Sequence, residues 1–112
     1  MQRDDSVYLK HIRDAIIKID SYTKRVSSST FEKDTLIQDA VIRQIEIIGE
    51  ATKRLSTDIR TGYTNIPWDD ISGMRDKLIH DYFGVDIEKV WITVQDDIPV
   101  LKKQINQIIK SL

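Results

Sequence analysis

Ile87, Trp91, Val94, Ile98, Leu101, Ile105, Ile108 and Leu112 follow one another in alternating steps of four and three residues. Only a helix brings such positions onto one side, and a stripe this regular is the seam along which a helix lies on its neighbours. The spacing predicts a helix from near Asp86 to the C-terminus whose apolar side is buried in a bundle. Pro99 interrupts the seam. Its ring lacks an N–H and crowds the preceding turn, so a kink is expected there.

The remaining segments carry the same period. Tyr8, Ile12, Ala15, Ile16, Ile19, Tyr22 and Val26 predict a first helix from about Asp4 to Val26. The run Ser27-Ser28-Ser29-Thr30 breaks it, and Thr30 or Asp34 is placed to cap the next helix. That helix extends to about Leu55, with Ile37, Val41, Ile45, Ile48, Ala51 and Leu55 facing inward and Leu36, Ala40 and Ile47 widening the stripe. Gly49 lies within it at a cost of about 1 kcal/mol relative to alanine, which points to close packing of another helix. A polar connection is expected over Ser56–Asn65, with Gly62 as its turn residue. Pro67 and the acidic pair Asp69-Asp70 then suit a helix start, with Trp68 as a core or interface anchor. A break near Ser72-Gly73 separates a short opening turn from a helix running to about Phe83, which Gly84 is placed to stop. No strand-like alternation or repeat is visible. The expectation is an all-α, single-domain, antiparallel bundle over residues 1–112, of four helices, or five if the opening turn is counted.

Charge narrows the function classes. Seventeen basic residues stand against eighteen acidic ones, a formal net charge of −1, which disfavours broad electrostatic binding of nucleic acid and leaves room for a local basic patch. Cysteine is absent, so disulfides and thiolate metal sites are excluded. The segment Met1–Asp5 lacks the basic and apolar regions of a signal peptide, and the apolar runs are too short to cross a bilayer, so a cytoplasmic protein with no membrane association is expected. A bundle this small leaves much surface exposed, and dimerisation is a common remedy.

Four glycines provide no phosphate-binding loop, and no cofactor is implied. Two histidines make a His-rich metal site improbable, and no metal ligand set stands out among the carboxylates. His11, beside Lys10 and near Arg13, reads as a solvated residue on the outer face of the first helix. His80 differs in its company: Arg75, Lys77 and Tyr82 lie within two turns of it, with Asp76 and Asp81 interleaved. On a continuous helix Arg75 and Tyr82 share a face, whereas Arg75 and His80 splay by roughly 140°. Either a long Arg side chain and a distorted helix end close that gap, or two copies of the segment meet across a dimer axis; the splay favours the second. The last turn of a helix also favours imidazolium. Histidine exchanging protons beside a phosphate-neutralising guanidinium suits phosphoryl chemistry on RNA without a metal. A helix end decorated with capping charges and an anchoring tyrosine has the same spacing.

With its neighbours, this segment resembles the HepT-like toxins of the HEPN superfamily over nearly the whole chain. The superfamily's ribonuclease motif, Arg, a polar residue, a spacer and His, is matched by Arg75-Asp76-Lys77-Leu78-Ile79-His80, and the branch's following Tyr by Tyr82. Flanking blocks match as well: Asp39-Ala40-Val41-Ile42-Arg43, Ile47-Ile48-Gly49-Glu50-Ala51, Ile66-Pro67-Trp68 and His80-Asp81-Tyr82-Phe83-Gly84-Val85-Asp86. Asp76 stands where Asn is frequent in the branch. The resemblance implies a four- to five-helix bundle that dimerises with both motifs in one cleft. It implies metal-independent endoribonuclease activity toward RNA (tRNA and mRNA being the two classes in view), with Arg75 on phosphate, His80 in proton transfer, and Asp76 and Lys77 in support. It further implies a toxin of a type II or type VII-like toxin–antitoxin pair. Its partner would be an MNT-type nucleotidyltransferase antitoxin able to adenylylate Tyr82. The competing function is a non-catalytic module that presents substrate or nucleotide to such a nucleotidyltransferase, and a purely structural dimerisation bundle is the third.

Overall fold

The structure, a computed structural model, describes residues 3–80 and 84–112, with the backbone alone described at residues 3, 79 and 80. Three long helical segments form the frame: α1 (Arg3–Thr23), α3 (Thr35–Lys53) and a C-terminal helix made of α7 (Ile87–Ile92), a π-helical turn (Thr93–Asp97) and α8 (Ile98–Lys110). Short helices join them: α2 (Ser28–Lys33), α4 (Thr57–Gly62), α5 (Trp68–Ser72) and α6 (Met74–Leu78). The molecule measures 43 × 30 × 20 Å, and its short axis equals roughly two helix diameters, so the bundle is two layers deep. No helix among the described residues is long and apolar enough to cross a membrane.

The stripes read from the sequence form the core. Ile12, Ala15, Ile16 and Ile19 of α1, Val41, Ile45 and Ile48 of α3, and Ile98, Leu101, Ile105 and Ile108 of α8 are all buried. α1 lies chiefly on α3 and then on α8. Antiparallel directions follow from two contacts. At the start of α1, Asp5 accepts hydrogen bonds from the Ser56 amide (2.8 Å) and hydroxyl (2.6 Å), just beyond the end of α3. Near its other end, Asp20 meets Lys102 in the first turns of α8 at 2.7 Å. Asp5 is 1% exposed, a carboxylate tolerated in the core because both oxygens are bonded.

Several boundaries differ from the expectation. The second predicted helix begins after Asp34, one of its two expected caps, whose backbone is extended (φ −103°, ψ 94°), and the hydroxyl run before it forms the additional short helix α2. Asp34 ends α2 by donating its N–H to the carbonyl of Thr30 and begins α3 by accepting from the Ile37 amide at 3.1 Å. Ser27 caps α2 by accepting from the Thr30 amide. Gln38 donates its side-chain amide to the carbonyls of Phe31 and Glu32, satisfying the end of α2. Leu36 does not widen the buried stripe: it is 79% exposed in the first turn of α3. The polar connection after Leu55 contains α4, capped by Ser56 and anchored by buried Ile59. Arg60 reaches back to donate to the carbonyls of Thr52 and Lys53, capping α3.

Around the C-terminal helix the outcome at Pro99 is more specific than a kink. A regular helix would bring the proline ring against the Gln95 carbonyl and leave that acceptor without its donor. The turn Thr93–Asp97 widens instead, and the Ile98 N–H donates to the Thr93 carbonyl, five residues back. Trp91 packs on Phe31 of α2 with ring centroids 5.0 Å apart.

Candidate functional site

The helix carrying Arg75 is shorter than its sequence suggests. α5 begins after Pro67, with Trp68 buried and its indole N–H donating to the Tyr63 carbonyl at 3.0 Å. It stops at Gly73, and α6 restarts at Met74 and ends at Leu78. The chain then becomes extended: β1 (Ile79–His80) pairs antiparallel with β2 (Gly84–Val85), His80 opposite Gly84 and Ile79 opposite Val85. The Asp86 amide closes the ribbon by donating to the Leu78 carbonyl at 2.9 Å. Gly84 has φ +82°, so its role is to turn the ribbon in a left-handed conformation, not to terminate a helix at Phe83. His80 is therefore off the helix. The 140° splay, which assumes one continuous helix, does not apply to it and no longer argues for a two-copy site. Tyr82 lies outside the described residues, as do Asp81 and Phe83.

Arg75 sits between two carboxylates. Its Nε is 3.5 Å from Oε2 of Glu46 on α3, and its Nη1 is 3.6 Å from Oδ1 of Asp76. The two acids are unequally held: Glu46 is 33% exposed and Asp76 78%. Glu46 was not singled out by sequence, since one acid among many on a helix surface carries no local signal. Gly49, one turn later, did mark the place. A Cβ there would lie 3.2 Å from the Ser72 carbonyl oxygen, a backbone approach that only glycine accommodates freely. The close packing expected at Gly49 is thus the contact that seats α5 and α6 on α3.

Lys77 is on the other side of α6, 3.1 Å from Asp70. It borders a groove of about 800 Å³ between α5–α6 and the C-terminal helix, floored by Ile71, Met74 and Leu101. Ile92 and Val100, both about half exposed, are part of its wall, and Lys89 and Asp97 share the rim with Asp70 and Lys77. The structure brings Arg75, Asp76 and Glu46 together, places His80 two residues beyond the helix end, and turns Lys77 toward this groove. His11 is exposed on α1, edge-on to Tyr8 at 6.0 Å, consistent with a solvated residue. Among the described residues no three His, Asp or Glu side chains gather as a metal site.

A guanidinium half exposed on α6 is chemically suited to binding a phosphate diester, and His80, a residue type that can transfer protons, follows in β1 two residues beyond the helix. A family model described as ribonuclease HepT-like matches residues 12–108. A Methanocaldococcus jannaschii protein named "Gamma-glutamylcyclotransferase and putative RNase" is 46% identical over 112 residues, all of this chain and half of that protein. A Thermococcus cleftensis protein named "Probable ribonuclease HepT" is 44% identical over 98% of this chain and its own full length. A second M. jannaschii protein, named "Putative RNase", is 42% identical over 99% of this chain and 92% of its own. No solved structure matches the chain.

Proposed function

The chain belongs to the HepT-like ribonucleases, RNA-cleaving enzymes of the HEPN type, and from that premise we propose that it cuts RNA internally by a metal-independent transesterification. In this reaction the 2′-hydroxyl loses its proton and its oxygen attacks the adjacent phosphorus. The bond to the 5′-oxygen breaks, and that oxygen gains a proton, leaving a 2′,3′-cyclic phosphate. His80 exchanges the protons, and Arg75 neutralises the phosphoryl oxygens as charge builds on them. The observation that carries the reading is the position of Arg75, held at the surface on α6 with its Nη edge met by the exposed carboxylate of Asp76, which a phosphate can displace.

The same reading makes the chain the toxin of a toxin–antitoxin pair, with an MNT-type nucleotidyltransferase as its antitoxin. Transfer of an adenylyl group from ATP would join the Tyr82 phenolic oxygen to the α-phosphorus, releasing pyrophosphate and the phenolic proton. The negative charge of a phosphate fixed on Tyr82 would then oppose the RNA backbone. Intact mass with and without that partner, followed by cleavage of an RNA pool in EDTA, tests both parts. The expected result is cleavage by the unmodified chain at undiminished rate in chelator, and silence after an adduct on Tyr82. Cleavage abolished by EDTA, or an adduct elsewhere, would refute the corresponding part. A chain that binds the nucleotidyltransferase but never cuts RNA would instead be the non-catalytic module.

The groove beside α6 is the surface we assign to a second copy of the chain. Its rim sets Asp70 and Asp97 against Lys77 and Lys89, a balance that two copies related by a two-fold axis can satisfy mutually. Val100 is 56% exposed, so Val100→Glu leaves the monomer's core intact while placing a charge in the groove. Sedimentation should show a dimer for the parent chain and a dissociation constant weakened by about a hundredfold or more for the variant, the scale of a few kcal/mol. An unchanged dimer would place the interface elsewhere.

A further inference from the structure

We propose that Glu46 is a positioning residue for Arg75: it holds the guanidinium by Nε so that the Nη edge faces the RNA phosphate. The inference rests on the nuclease reading above and adds to it a residue that lies outside the Arg75–Tyr82 segment, on a different helix.

The seat of this pair is built into the backbone. Gly49 of α3 meets the Ser72 carbonyl, and three residues back along α3 from Gly49, and three forward along the chain from Ser72, stand Glu46 and Arg75. α3 and the α5–α6 segment therefore run past each other in opposite directions, with the close approach at Gly49 fixing the register in which the acid meets the guanidinium. The contact does not depend on two long side chains finding each other across open solvent.

Arginine offers a planar fork of donors. With Nε turned to Glu46 in an ion pair at 3.5 Å, the Nη1–Nη2 edge is the side left for a bidentate phosphate. Asp76 touches that edge only through Nη1 at 3.6 Å and is 78% exposed, so an incoming phosphate displaces it at little cost. Glu46, being the less exposed of the two, stays. The two carboxylates thus divide the work: one orients the arginine, and the other occupies its phosphate edge while no RNA is bound. A pair with this much solvent contact contributes little to folding, so its loss is separable from unfolding.

The test compares Glu46→Ala with Glu46→Gln, which keeps an acceptor at the same reach, by RNA cleavage kinetics, melting temperature and the Arg75 Nε–H resonance in the free protein. Glu46→Ala should lower kcat by about tenfold with little change in KM, as loss of a contact that matters in the transition state does. Its melting temperature should stay that of the parent, and the Arg75 Nε–H line should move or broaden. Glu46→Gln should recover most of kcat. A kcat left within about twofold by Glu46→Ala, or a Glu46→Gln no better than the alanine, would overturn the inference. If the parent chain cuts no RNA, the nuclease reading fails, and the resonance alone then decides: an Arg75 Nε–H line unmoved by Glu46→Ala overturns the positioning contact as well.

Discussion

Replacing His80 by alanine is expected to lower RNA cleavage by about a hundred- to ten-thousandfold, the range over which a positioned proton-transfer group acts. Both the 2′-hydroxyl and the leaving 5′-oxygen need a proton moved, and His80 is the sole histidine of the segment, the other being His11 on α1. Arg75→Ala should fall in a similar range through lost stabilisation of phosphoryl charge. The double variant separates a shared role from two independent ones. Groups acting in one transition state are not additive, so the pair should be scarcely worse than the weaker single variant. Rates measured in EDTA, beside melting curves for each variant, provide the check. Cleavage by His80→Ala at the parent's rate would remove His80 from the chemistry.

The largest effect on stability is expected from Phe31→Ala, a loss of about 3–5 kcal/mol. Phe31 is fully buried, packs on Trp91, and is the only buried residue of the six in α2. Its carbonyl also receives the Gln38 amide. Truncation removes the one apolar anchor of a helix too short to stand alone and opens a void against the indole. Against a typical total of about 5–15 kcal/mol that loss is severe. Thermal unfolding followed by circular dichroism should show a fall of roughly 10–20 °C for a domain of this size. A fall of about 3 °C or less would mean that α2 contributes little to the bundle.

The long elements were visible in the sequence because each satisfies its apolar face by a local period: the Ile12–Ile19 stripe, the Val41–Ile48 stripe and the Ile98–Ile108 seam are buried as read. Asp34 was visible as a cap, and Gly49 as a point of close approach, since each departs from what a helix interior prefers. What escaped depends on partners distant in the chain. Asp5 is buried because Ser56, 51 residues on, supplies both its donors. The Ile79–His80 strand is too short for alternation to register, and it exists because Gly84 and Val85 return to pair with it. Leu36 has an apolar side chain in a helical phase that no neighbouring helix covers. At the site, Arg75 could be placed on a helix, but Glu46 could not be matched to it without knowing how α6 crosses α3.

The widened turn at Thr93–Asp97 has a consequence for how the C-terminal helix is divided. A π turn acts as one extra residue in a regular helix, advancing the phase by about 100°. The segment before it is keyed to α2 through Trp91 and Phe31, and the segment after it to α1 through Lys102 and Asp20. A single continuous rod therefore works as two splines cut at different angles, each fitted to its own partner. The turn is the coupling that lets both engage at once.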